Sequence, residues 1–234
     1  MDDLERYSDY NDYEDDEPRK KGIISLALKI IIGVVIVSVV GLLAFRMILF
    51  NSYPDGIKNI YFNDKLTAYY NECGGDIGAV TQSMRAEYDD PDKGNFFAGN
   101  LIVIPDINQL QLSVRYNTSL KTAIEEAYGV TIDPDDKDIF EFSLAILPLS
   151  KNDGTAYETG TLTVCEFDEN MMYRYFKLVF DDVDLTLEGE DEVWIRIEIK
   201  IRGVETETPF RILIYEDTKT SEFEPYVLSK EERP

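Results

Sequence analysis

The sequence predicts a mainly β protein: an antiparallel β-sandwich of the immunoglobulin-like kind, with one or two short helices, behind a single N-terminal transmembrane helix. Three observations carry this expectation. One long apolar run lies near the N-terminus, hydrophobicity alternates with a period of two over much of the chain that follows, and turn residues separate the alternating segments.

The N-terminal segment, residues 1–21, is dominated by Asp and Glu, with Tyr7, Tyr10 and Tyr13 at every third position. So little aliphatic content cannot offset the entropy of ordering, and a solvated acidic tail is expected. A docking or tyrosine-phosphorylation segment for a basic partner is the functional alternative.

Residues 22–50 are apolar except for Lys29 and Arg46. At about 1.5 Å per residue a helix here is long enough for a hydrocarbon core of roughly 30 Å. Lys29 and Arg46 sit towards opposite ends, so each can run its aliphatic stem along the helix and place its charge at the nearer interface. Arg19, Lys20 and Lys21 flank the N-terminal side, whereas the next basic residue after Arg46 is Lys58. Basic residues near a span stay in the cytoplasm, so the tail is expected inside and the remainder outside. A cleaved signal peptide fits less well, because the preceding segment is long and acidic and Phe45 to Tyr53 offers no small-x-small site.

A juxtamembrane segment, residues 51–76, begins with turn residues Pro54 and Gly56. Asn63 is positioned to cap a short helix through Tyr70, which Gly74 and Gly75 would stop. The outer domain, residues 77–234, then alternates. Leu110, Leu112, Val114 and Tyr116 form one face of a strand, Phe140, Phe142, Leu144 and Ile146 another, and Val193, Ile195, Ile197, Ile199 and Ile201 the clearest. Further strands are expected over 79–88, 96–104, 160–167, 171–180 and 209–216. Thr118 or Ser119 is expected to cap a helix from Leu120 to Tyr128, with Gly129 as its left-handed stop. Its apolar positions Leu120, Ala123, Ile124 and Ala127 suit a crossover between two sheets. The alternative fold class is α+β, with the early helices packed on one curved sheet. An immunoglobulin Cys…Trp…Cys order is missing, since Trp194 follows both cysteines.

Composition narrows the function. A net charge of −23 disfavours nucleic acid and anionic lipid as partners. The chain has no histidine, which removes the commonest general base and zinc ligand and every Ser/His or Cys/His pairing. Carboxylates are the abundant reactive groups, and a glycosidase-like pair is the one generic enzyme chemistry open to them; the expectation is that the protein is not an enzyme. No cofactor is expected. Calcium would have to use Asp89, Asp90, Asp92 and Asn95, or Asp133, Asp135, Asp136 and Asp138, and neither group follows the order of an EF-hand loop. Cys73 and Cys165 could form a disulfide outside the cytoplasm, closing a loop of about 90 residues worth at most about 4.6 kcal/mol on the chain-entropy model. Asn117-Thr118-Ser119 matches the glycosylation sequon, a triplet that arises easily by chance.

Aromatic residues supply the binding expectation. If Met172, Phe176, Leu178 and Phe180 face the core, Tyr173 and Tyr175 face away, as Trp194 does in its own strand, with Arg174 or Arg196 nearby. Tyr173, Tyr175, Trp194 and Arg196 are therefore the expected binding residues, for a protein or carbohydrate partner outside the cell. The expected function is a membrane-anchored extracytoplasmic binding or scaffold module of the cell envelope. A single-pass sensor or regulatory subunit is the first alternative and a carboxylate-based glycoside hydrolase the second.

Overall fold

The computed structural model describes residues 17–51, 54–82, 87–90, 94–129, 131, 139–149, 155–170, 172–204, 212–213 and 218–234. The chain divides into two units at Leu49 and Phe50.

The first unit is built on one long helix, α1 (Glu17–Asn51). From Ser25 to Ile48 its mean hydropathy is 2.8, and every side chain of this stretch is exposed. No polar face interrupts it, so it lacks the amphipathic stripe by which a helix docks on a soluble core. Twenty-four residues rise about 36 Å. The helix is long and apolar enough to cross a membrane.

The second unit opens with two short helices, α2 (Asp55–Lys58) and α3 (Asp64–Glu72). Asn63 caps α3 as its sequence position predicts: Asn63 Oδ1 accepts from the Leu66 amide at 2.9 Å. The helix runs two residues past Tyr70 before Gly74 and Gly75, both at positive φ, turn the chain away.

Strands follow: β1 (Val80–Gln82), β2 (Glu87–Asp90), β3 (Gly94–Ile104), β4 (Gln109–Asn117), then helix α4 (Ser119–Tyr128). After α4 come β5 (Phe140–Pro148), β6 (Tyr157–Glu158), β7 (Thr161–Glu169), β8 (Tyr173–Asp181), β9 (Val193–Ile201), β10 (Ile212–Leu213), β11 (Thr218–Lys219) and β12 (Glu224–Pro225). Among the described residues they form two antiparallel sheets. The first runs β12-β1-β3-β4-β8-β7, with β2 on β3; the second runs β10-β9-β5-β6, with β11 on β9. The expected strand over 79–88 is two pieces, β1 and β2, and its centre lies outside the described residues. So does most of the expected strand over 209–216.

The apolar halves of the alternating strands meet in one core. Leu112, Val114, Phe176 and Leu178 from the first sheet face Phe142, Leu144, Ile195 and Ile197 from the second. Phe142 and Phe176 meet edge-on across the gap at 5.1 Å, as do Tyr116 and Phe140. The chain passes from β4 in the first sheet to β5 in the second through α4, which buries Leu120 and Ile124 in this core. Ala127 is exposed, so the buried stripe is narrower than the apolar spacing predicts. Thr118 occupies the N-cap of α4, but its side chain makes no capping hydrogen bond. Asn117, at the last position of β4, supplies the acceptor instead, its Oδ1 accepting from the Ser119 amide and hydroxyl, each at 3.0 Å. Gly129, at φ 63°, ends the helix as expected.

The opposite face of the first sheet is also covered. Ile60, Leu66, Ile77 and Ala79 pack on Ile102 and Ile104 of β3 in a second, smaller core, joined by Tyr226 and Leu228 from the C-terminal segment. Helices packed on a sheet, the feature of the α+β alternative, thus coexist with two facing sheets.

Candidate functional site

Alternation places Gln109, Gln111, Ser113 and Arg115 of β4 on the face away from the main core. On β8, Val179, Lys177 and Tyr175 stand in register with Gln111, Ser113 and Arg115, and Asp181 lies beside Gln109. A half-buried strand would leave such residues in water, yet Gln109, Gln111, Ser113 and Lys177 are each 1 % exposed or less. Residues 57–66 and the C-terminal segment lie over them, and buried polar groups of this kind need partners.

Most have them. Gln111 treats Tyr61 as a neighbouring strand would: Nε2 donates to the Tyr61 carbonyl at 2.8 Å, and Oε1 accepts from the Tyr61 amide at 2.7 Å. Gln109 Nε2 donates to Asp181 Oδ1 at 2.8 Å and to Asn63 Oδ1 at 3.2 Å, while its Oε1 accepts from Gln111. Thr163 Oγ1 of β7 donates to Asp181 Oδ2 at 2.8 Å, and Ser113 Oγ donates to the Ile57 carbonyl. At the exposed end Lys65 Nζ lies 3.1 Å from Asp182 Oδ1 and 3.9 Å from Asp181 Oδ1. The C-terminal segment is tied down by Glu232, whose carboxylate accepts from the Ile60 amide at 3.2 Å, the Ser229 amide at 2.8 Å and the Tyr226 hydroxyl. Burial of the phenol, reinforced by the Glu232 carboxylate that holds its hydroxyl, pushes the Tyr226 pKa upward.

Lys177 is the exception. Its Nζ is buried and has no hydrogen-bond partner among the described residues. Burial lowers its pKa to about 7, against the opposing pull of the Glu232 and Glu166 carboxylates. Glu166 stands directly opposite it on β7, and also pushes the Tyr61 phenol up. The arrangement holds residues 57–66 and the C-terminal segment against the sheet, and the lysine is sealed from solvent.

The sequence-predicted binding residues do not share one surface. Tyr173 and Tyr175 lie on β8 in the first sheet, Trp194 and Arg196 on β9 in the second. Since the two sheets meet through their apolar sides, their outward sides point in opposite directions. Period-two reasoning identifies a strand's face but not its neighbour, which is why these residues looked adjacent. Tyr175 is buried, its hydroxyl accepting from Asn170 Nδ2 at 2.7 Å. Tyr173 is half-buried and stacks with Arg115, whose guanidinium lies 4.6 Å from its ring centre and 4.8 Å from that of Phe97. Trp194 has its ring covered by Lys219 Nζ at 4.9 Å, and its Nε1 donates to the Leu149 carbonyl at 3.4 Å. Arg196 is half-buried beside it, and its Nε has no hydrogen-bond partner among the described residues. Met172, expected in the core, is exposed, and Arg174 turns towards Glu169 at 3.5 Å.

Cys73 follows the last turn of α3, half-buried, and Cys165 lies exposed on β7. Asp89 and Asp90 lie in β2, opposite Asn95 and Gly94 of β3. Asp92, Asp133, Asp135, Asp136 and Asp138 lie outside the described residues. Among the described residues, no three Cys, Asp or Glu side chains are grouped to hold a metal.

The polar face around Lys177 escaped sequence reading. A signal was present: Gln109, Gln111 and Ser113 are uncharged on the polar side of a strand in a chain with 29% charged residues, and Lys177 interrupts an otherwise apolar and aromatic run.

Fold and site together define a class: a mainly β unit of two antiparallel sheets with a few helices, following an N-terminal apolar helix. No protein-family model matches the chain, and neither a curated protein nor a solved structure matches it.

Proposed function

We propose that the protein is a membrane-anchored, non-catalytic binding or scaffold module of the cell envelope. In this reading α1 spans the membrane, the acidic tail is cytoplasmic, and a two-sheet sandwich of the immunoglobulin-like kind stands outside as the contact surface. The observation that carries it is α1 itself, apolar and exposed on every side from Ser25 to Ile48, a surface whose natural solvent is lipid. Orientation is supported by Arg19, Lys20 and Lys21 ahead of the apolar stretch, with no basic residue between Arg46 and Lys58 beyond it. The non-catalytic part rests on Gln109, Gln111, Ser113 and Asp181, whose polar groups are spent on holding one part of the chain against another, and on the burial of Lys177 beneath them.

Cys165, exposed on β7, gives a direct test. A membrane-impermeant maleimide applied to intact cells should modify the protein, with the labelling lost in Cys165→Ser. Modification that appears only after the cells are broken would overturn the orientation.

A further inference from the structure

Sheet edges are where a β protein is open to another chain, because an edge strand presents backbone N–H and C=O groups that can pair. Among the described residues, the outermost strands other than β7 are short: β12 and β2 in the first sheet and β10, β11 and β6 in the second run two to four residues each. β7 is nine residues long. At about 3.3 Å per residue it offers roughly 30 Å of edge. Thr161, Thr163, Cys165, Glu166, Asp168 and Glu169 are all exposed along it.

The two sides of β7 differ in chemistry. Leu162, Cys165 and Phe167 stand opposite Phe180, Leu178 and Phe176 of β8 and so lie on the side of the main core, where Leu162 and Phe167 are only partly buried at its rim. Glu166 and Asp168 stand opposite Lys177 and Tyr175 and so lie on the other side. These carboxylates blunt the edge against another copy of the same chain, which carries a net charge of −23. A strand of opposite charge meets no such barrier.

We propose that the edge of β7 is a docking strand for an extended segment of a partner protein in which apolar and basic residues alternate. The apolar side chains cover the core rim at Leu162 and Phe167, the basic ones lie beside Glu166 and Asp168, and the backbones pair as in strand addition. This assignment rests on reading the β unit as a binding module, and not on its side of the membrane.

The probe is a blocked ten-residue peptide of alternating Lys and Val, titrated into the full chain in detergent micelles. Strand addition uses the N–H groups of alternate residues only. Of two further peptides, one N-methylated at every Val and one at every Lys, one should lose at least tenfold in affinity and the other should bind as the parent does. Glu166→Gln with Asp168→Asn should weaken the parent peptide at least fivefold, whereas Glu188→Gln with Asp191→Asn, in the β8–β9 connection, should not. Amide exchange at residues 161–169 should slow when the peptide is bound. Equal binding of the two N-methylated peptides would mean non-specific attraction to an acidic protein and would overturn the proposal, as would no binding at millimolar peptide. A dimer of the full chain lost in the Glu166/Asp168 variant would overturn it too, by showing a second copy as the occupant. Cell-surface labelling at Cys165 is unaffected by any of these outcomes, so the two readings fail separately.

Discussion

An ammonium group taken out of water without a partner is expensive, and Lys177 avoids that cost by giving up its proton near neutral pH. Its folded pKa, about 7, lies below the ordinary lysine value, so between pH 7 and about 10 the unfolded chain binds a proton that the folded one does not. Stability therefore rises with pH across that window, by about 1.4 kcal/mol per unit for one proton, and is flat in this respect below it. Above about pH 10 the trend reverses, because the folded protein keeps the protons of Tyr61, Tyr69 and Tyr226, whose pKa values are raised. Urea unfolding followed by Trp194 fluorescence should show the rise from pH 7 to 9, and Lys177→Met should flatten it and be the more stable protein at pH 7. Parallel curves for the two proteins would remove Lys177 as the cause. Gln111→Leu should cost about 1–3 kcal/mol, because the amide and carbonyl of Tyr61 lose their partners. Amide exchange at residues 57–64 should quicken with it. Neither role was readable in sequence: a polar residue on the outward half of a strand is written the same way whether water or another part of the chain covers it.

At the level of elements, local pattern was a good guide wherever the deciding interactions were local. β9 spans the alternating run from Val193 to Ile201, because five β-branched residues on one side leave a single register that buries them all. Asn63 and Gly129 perform their capping roles since each acts within a few residues of itself. Gly129→Ala should cost about 1 kcal/mol through the backbone alone: at φ 63° a Cβ is strained even though no atom lies within 4 Å of where it would stand. Thermal unfolding checks this, and an unchanged midpoint would count against the left-handed cap. What local pattern could not supply was pairing. β8 and β9 follow one another in sequence yet belong to different sheets, which separates Tyr173 and Tyr175 from Trp194 and Arg196. The shift in register between Ala98 and Leu101 of β3 likewise depends on β4 and has no mark in the residues themselves.

On the scale of the whole molecule, two large features set the behaviour: an apolar helix with every side chain of its central stretch exposed, and a net charge of −23. Self-repulsion at that charge keeps copies apart and favours cationic partners, which fits a module built to contact something other than itself. Helix and charge were both legible in the sequence because they are sums over many residues and do not depend on pairing. Where α1 resides decides whether the protein is anchored in a membrane. Membranes from cells making the full chain should be washed with alkaline carbonate, and the protein followed in pellet and supernatant. It should stay in the pellet and move to the soluble fraction only with detergent, and replacing Ile32, Val35, Ile36 and Val39 together by Asp should release it. Full-length protein appearing in the carbonate supernatant without any substitution would contradict the account.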